Sequence, residues 1–405
     1  MLATALVLVA IVAPAPLLRP EVLAEVAARA PVVEASEARV EATQAAIGVA
    51  GSWEDARFSI MAEGLPLPGG GHEDPVMIDY RLAQPLNLFG RRRAARLGAA
   101  ARVDGARAGL RRVSWDARAA AVALFYELWM NGEMDRVMGE QIALLERMRE
   151  TGLARVRAGM DMGHHDVLRA EAQVAVMQAE RASLADERQA MSAMLNVLRG
   201  RPPDQELGAP LLPALASLPA LDHLDRRADA TPEVDQARAM GREAAAGVAL
   251  ARRMYWPMVM VEGAYQQNLD GMPDALGVGV SISVPLAWRD RQDRELAMAR
   301  AMARAAEREA SAMRTMAGAE LRMAWSRARA AERKVDALEQ VALPRLRETI
   351  VSIESAYIAG RSDFLPLLDA VMQLQALEGE RIAATAQRGV ARFELDRIAG
   401  DEVSP

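Results

Sequence analysis

The sequence predicts an α+β membrane protein. Long α-helices sit in a bundle or coiled-coil setting, four strands per chain contribute to a transmembrane β-barrel, and the whole plan is written twice. Three observations carry this reading. The stretch Asp74 to Leu86 is echoed 200 residues later by Asp274 to Leu286, each ending in Pro-Leu. Each copy alternates with period two and then passes into an Arg- and Ala-rich run, the pattern of a strand feeding a helix. Finally, Arg91 to Ala158 contain no proline, and apolar residues recur at Leu110, Val113, Ala117, Ala120 and Leu124. At about 1.5 Å per residue such a helix would run roughly 100 Å, so it needs partners in a bundle or coiled coil.

In chain order, Leu2 to Leu18 is almost wholly apolar, with Ala13-Pro14-Ala15 as a small-residue cleavage site. It reads as a signal peptide over residues 1–18. A membrane-anchor helix is the alternative, against which Pro14 and Pro16 stand. The first repeat, 19–210, opens with a helix from Glu21 to about Gly51. Strands follow at Arg57 to Glu63 and at Val76 to Leu82, separated by the Gly/Pro loop Leu65 to Pro75. The long helix runs to Ala158, the glycines Gly159 and Gly163 break it, and a return helix spans about Asp166 to Arg199. Residues 211–230 form a Pro-, Leu- and Asp-rich connector.

The second repeat, 231–400, gives a helix from Pro232 to Arg253 and strands from Pro257 to Gln266 and from Leu276 to Val284. A long helix follows from about Asp290, with Val335, Leu338, Ala342, Leu346, Ile350, Ile353 and Tyr357 as its apolar stripe. Gly360 breaks it, and a closing helix runs from Pro366 to Ile398 before a tail over 401–405. Leu168-Arg169-Ala170 answers Leu368-Asp369-Ala370, and Glu180-Arg181 answers Glu380-Arg381, in the same register. A period this long marks a duplicated unit rather than a solenoid.

Composition excludes several classes. Apolar content of 51% with 26% charge fits a folded chain. A net charge of −6, with arginines dispersed along helices, argues against nucleic acid as a partner. Cysteine is absent, which removes disulfides, thiolate metal sites and Cys nucleophiles. Of the four histidines, His164 and His165 are adjacent and would point to different helix faces, and His72 lies in a glycine loop without a phosphate-binding sequel. No GxSxG, HExxH or SxxK pattern occurs. The reading is a non-enzyme with no catalytic residue, no metal site and no cofactor.

The strands carry the argument further. Each is about nine or ten residues long, enough for a tilted strand to cross a bilayer. One face is apolar, as in Leu276, Val278, Val280, Ile282 and Val284. The other carries the candidate lumen residues Asp79, Arg81, Glu262, Ser281 and Ser283. Trp53, Phe89, Tyr255, Trp256 and Trp288 sit where strand meets helix, as an interfacial belt would. The alternative is two soluble hairpins packed on the helices. Four strands cannot close a barrel, and an open edge in lipid costs several kcal/mol per unpaired backbone group. If the strands span, several chains must share one barrel.

On these residues the chain resembles the outer-membrane efflux factor family, the TolC-like exit ducts of tripartite exporters. The resemblance covers Glu21 to Gly400. It rests on the repeat, on Gln84-Pro85-Leu86 and Val284-Pro285-Leu286, and on Tyr357 to Ala370 followed by Glu378, Glu380 and Arg381. It implies a homotrimer in the outer membrane lipid, with twelve strands in one barrel and a long α-helical coiled-coil barrel in the periplasm. It also implies a periplasmic adaptor and an inner-membrane pump of the RND type. Tyr357 and Asp369 match the family's constriction at the closed tip; its first acid falls on Pro366 here, with Asp363 just upstream. Gly159, Gly163, Gly360 and Arg361 fall at the tip turns that an adaptor meets. Met61 to Pro68, and Gly90-Arg91-Arg92 after the second strand, are similar to the heavy-metal exporter branch, which implies metal cations as cargo. Drug efflux and type I secretion are the alternatives, and a trimeric coiled-coil scaffold without a lumen is the alternative of another class. Met61, Met77, Met258, Met260 and Met272 are either soft-metal ligands or packing filler.

Overall fold

A computed structural model of the chain describes residues 15–65, 76–157, 164–224, 231–269, 271–359 and 361–399. The elements repeat in order. The first half has helix α2 (Pro31–Gly51), strands β2 (Arg57–Glu63) and β3 (Met77–Leu86), and helices α3 (Arg91–Arg157) and α4 (His164–Leu198). The second half has α6 (Pro232–Arg253), β5 (Met258–Asn268) and β6 (Ala275–Ser283). It continues with α7 (Gln292–Ala337), α8 (Leu343–Ile358) and α9 (Phe364–Ala399). Ahead of these lie a two-residue strand β1 (Leu17–Leu18) and α1 (Arg19–Arg29). Between the halves lie β4 (Pro210–Leu211) and a single helical turn, α5 (Leu221–Leu224). Pro31 and Pro232 open equivalent helices, each at a first-turn position that lacks an N–H partner anyway.

Four details depart from the sequence expectations. The single helix expected from Glu21 is two, because Ala30 precedes proline and is extended at φ −65°, ψ 128°. The long helix of the second half contains Pro344 and is interrupted by a π turn, Leu338–Ala342, ahead of it. There the Leu343 N–H reaches back five residues to the Leu338 carbonyl, which makes room for a proline ring that would otherwise meet the carbonyl four residues earlier. The closing helix starts two residues before Pro366, since proline is tolerated in a first turn. Finally, Leu17 and Leu18 pair in parallel with Pro210 and Leu211, and Leu17 is buried. The last two residues of the segment read as a signal are therefore part of a folded element.

The chain divides into two units: residues 36–111 with 232–315, and residues 1–35 with 112–231 and 316–405. The first holds a four-stranded antiparallel sheet in the order β2-β3-β5-β6, together with the helical segments that enter and leave it. Its helices are joined by ion pairs, Arg102 to Glu243, Arg111 to Asp235 and Arg242 to Asp104, each at 2.7–2.9 Å.

The second unit is helical. One core cluster joins Ile142, Leu145 and Met148 of α3, Ala170 and Met177 of α4, Ile350 and Tyr357 of α8, and Leu367 and Val371 of α9. The expected stripe holds, with Val335, Leu338, Ile350 and Tyr357 all buried. Glu378 explains part of the 378–381 motif. Its carboxylate accepts hydrogen bonds from Arg347 of α8 and from Arg381 one turn along α9, the latter at 2.9 Å. Burial alone would push its pKa up; the two guanidinium groups override that and hold it below the usual carboxylate value. No helix among the described residues is long and apolar enough to cross a membrane.

Candidate functional site

The sheet holds the first set of candidate residues. Directly paired residues on neighbouring strands point the same way, so the register sorts all four strands at once. Ile60, Tyr80, Tyr265 and Leu276 form one row, and Phe58, Leu82, Gly263 and Val278 the next. Gln84, Val261 and Val280 follow, then Leu86, Val259 and Ile282. All the apolar faces fall on one side. The other side carries Met61, Asp79, Gln266 and Ala275; Ser59, Arg81, Ala264 and Gly277; Arg57, Ala83, Glu262 and Gly279; and Met260 with Ser281 and Met258 with Ser283. The five lumen candidates, Asp79, Arg81, Glu262, Ser281 and Ser283, therefore share a face.

Burial on β3, β5 and β6 runs against polarity, while β2 is exposed on both faces. Val278 is 81% exposed, Val280 63% and Ile282 56%, with Phe58, Ile60 and Leu82 likewise exposed. On the polar side Ala83 is buried, and Glu262, Gln266 and Ser281 are half-buried. A sheet packed for water would do the reverse, because apolar area left in water forgoes about 25 cal/mol per Å². The polar face is organised within itself. Arg81 pairs with Asp79 at 2.7 Å. Glu262 lies across Gly279, where a Cβ would stand 3.1 Å from its Cγ, so the glycine makes space for the carboxylate arm.

Two aromatic groups bracket the strands. At the helix end Phe89 stacks on Trp256 with centroids 5.0 Å apart, Arg92 covers the Trp53 ring at 4.4 Å, and the Tyr255 hydroxyl bonds Asp293. At the loop end Tyr80 stacks on Tyr265 at 6.0 Å. Tyr265 and Trp256 are separated by about 30 Å of extended chain, which a strand tilt near 45° reduces to a height close to an outer-membrane apolar band. The loop-end pair was missed in the sequence reading. The signal for it was present, since Tyr80 and Tyr265 occupy apolar-face positions near the loops.

The second set lies around the α8–α9 turn. Gly159, Gly163 and Gly360 lie outside the described residues. The Arg361 N–H donates to the Ala356 carbonyl at 2.9 Å and closes α8 in the six-to-one pattern of helix C-termini. Asp363 and Asp369 are exposed. Tyr357 is only 3% exposed; its ring meets Phe364 edge-on at 6.0 Å and its hydroxyl end approaches Gly152 of α3. Within one chain it is therefore a core residue of the helix pair that carries the two acids. Among the described residues no cluster of three metal-ligating side chains occurs.

No family model matches the chain, and no curated protein sequence does so. Solved structures do. The outer-membrane channel OprN is similar over 94% of this chain and 89% of its own, with a TM-score of 0.80 at 21% identity. CusC, described for its folding and transmembrane channel formation, is similar over 94% and 91%, with a TM-score of 0.80 at 14% identity. The outer membrane protein VceC of Vibrio cholerae is similar over 94% and 96%, with a TM-score of 0.77 at 18% identity. The chain has the fold of these outer-membrane channels: long helices, a four-stranded sheet and an internal twofold repeat.

Proposed function

We propose that this chain is the outer-membrane exit duct of a tripartite efflux system, a passive, non-enzymatic channel from the periplasm to the exterior. The observation that carries the proposal is the inverted sheet, with its apolar face open and its polar face partly enclosed. The sheet has two edges, β2 and β6, and because every pairing is antiparallel those edges run in opposite directions. The β6 edge of one copy can thus lie antiparallel beside the β2 edge of the next. Three copies of four strands make twelve, above the eight at which outer-membrane barrels begin. This supports a homotrimer in which no edge is left unpaired in lipid. The helical unit is the periplasmic part, met by an adaptor and supplied by an inner-membrane pump of the RND type.

Heavy-metal cations are the cargo we favour. The similarity of Met61 to Pro68 and of Gly90-Arg91-Arg92 to the heavy-metal branch supports this. So does the position of Met61, Met77, Met258 and Met260 on the polar face of the sheet. Asp363, exposed in the turn, and Asp369, exposed in the second turn of α9, are the acids of the constriction, and Tyr357 holds the helix pair that presents them. Three copies of Asp369 around an axis would gather cations.

Single-channel recording of the purified trimer tests the reading. A closed or low-conductance, cation-selective state is expected, with Asp369→Ala raising conductance or cation leak. An unchanged closed state in the variant removes Asp369 from the gate. The absence of any conductance, in wild type and in gate variants, favours a scaffold without a lumen.

A further inference from the structure

The two repeats differ at the strand–helix junction. After β3 the chain reads Arg91-Arg92-Arg93-Ala-Ala-Arg96; at the matching place in the second half it reads Asp290-Arg291-Gln-Asp293-Arg294-Glu295. In the second half two arginines are balanced by acids, Arg291 pairing with Glu295 at 3.1 Å and Arg294 with Asp290 at 3.7 Å, while Arg289 lies over the Trp288 ring at 5.0 Å. In the first half no arginine of the run pairs with a carboxylate among the described residues.

Two of those arginines have an internal task. Arg91 donates to the carbonyls of Arg253 and Trp256, and Arg92 to the Gly51 carbonyl, so they cap the C-terminal ends of α6 and α2. Arg93, Arg96 and Arg253 have no such acceptor among the described residues and are exposed. They line two adjoining open grooves of about 380 and 440 Å³ that share Arg93 and the exposed Leu97. One groove is walled by Ile47 and Gly51, where the Arg96 side chain lies flat. The other is walled by the Phe89–Trp256 stack. Cationic heads next to exposed aromatic and aliphatic surface, one helical turn past the end of a strand, match an anionic headgroup above an acyl chain.

We infer that this groove binds the phosphate headgroup of an anionic phospholipid from the periplasmic leaflet, with Leu97 and Trp256 against the upper acyl chain. The inference rests on the reading of the sheet as membrane-spanning. Uncompensated arginines at this depth attract anionic lipid, whereas the acid-paired Arg291 and Arg294 of the second half do not.

The test uses the full-length trimer in detergent, titrated with phosphatidylglycerol or phosphatidylcholine and read by native mass spectrometry. Wild type should retain phosphatidylglycerol on the order of tenfold more than phosphatidylcholine, about what one or two near-surface arginines contribute. The exposed triple variant Arg93→Gln/Arg96→Gln/Arg253→Gln should lose that preference, and the control Arg291→Gln/Arg294→Gln should keep it. Equal preference in wild type and triple variant overturns the proposal, as does an equal loss in the control. Displacement of the lipid by millimolar inorganic phosphate would assign the groove to a free ion instead. Insertion into phosphatidylcholine vesicles is measured alongside. A wild type that inserts without lipid preference sinks only the groove, while one that fails to insert sinks the membrane reading as well.

Discussion

Gly389 and Tyr126 show how closely the helical unit is fitted. A Cβ on Gly389 would stand 2.0 Å from Cζ of the buried Tyr126 ring, a distance no side-chain shift of a rigid phenol absorbs cheaply. Gly389→Ala should therefore destabilise the protein by about 1–3 kcal/mol through overpacking, read as a lowered Tm, with Tyr126→Leu in the same chain restoring part of it. Glu378 gives the pH dependence. Its folded-state pKa is lowered from 4.5, so its contribution is present above that value and is lost as pH falls through the lower folded one. Asp135, held down by its bonds from Arg181, and Glu25, held down by Arg199 and Arg201 against the effect of burial, act in the same direction. Thermal scans from pH 6 down to acid should show a falling Tm, and Glu378→Gln should flatten that fall while lowering the plateau. At this scale the sequence was partly legible. Tyr357 stood in the apolar stripe and is in the core, but its contact with Phe364 and Gly152 depends on packing between helices that no spacing encodes.

Among the elements, the strands were the most legible and the helix interruptions the least. Period two assigned each strand's faces correctly, since Val278, Val280 and Ile282 were separated from Ser281 and Ser283 by alternation alone. What alternation does not give is the pairing of β3 with β5 across about 180 residues, because any register that keeps the apolar sides together satisfies the pattern. The π turn was hidden for a similar reason. Pro344 signals a disturbed helix, but whether the chain bends, ends or widens is settled by its neighbours. The strand faces make a sharp prediction. Val280→Arg places a charge on the exposed apolar side and should cost about 2–4 kcal/mol in bilayer-refolded protein if it lies at mid-membrane depth. Ser281→Arg, one residue on, should cost little. Equal costs would mean the two faces see the same solvent.

For the molecule as a whole, the duplication was visible in the sequence and recurs in the element order, helix, two strands, long helix, return helix, in each half. The contact between the N-terminal segment and the end of the first repeat was not. The pairing of Leu17 with Pro210 joins two stretches whose sequences carry no shared signal. The account's central claim is that lipid lies against one side of the sheet and water against the other. The natural chain has no cysteine, so single substitutions at Val278, Gly279, Val280, Ser281 and Ile282 can each carry one spin label in liposome-reconstituted protein. Accessibility to oxygen against a water-soluble nickel reagent should then alternate residue by residue, oxygen-dominated at 278, 280 and 282 and nickel-dominated at 279 and 281. A uniform profile, with all five positions open to the aqueous reagent, would contradict the account.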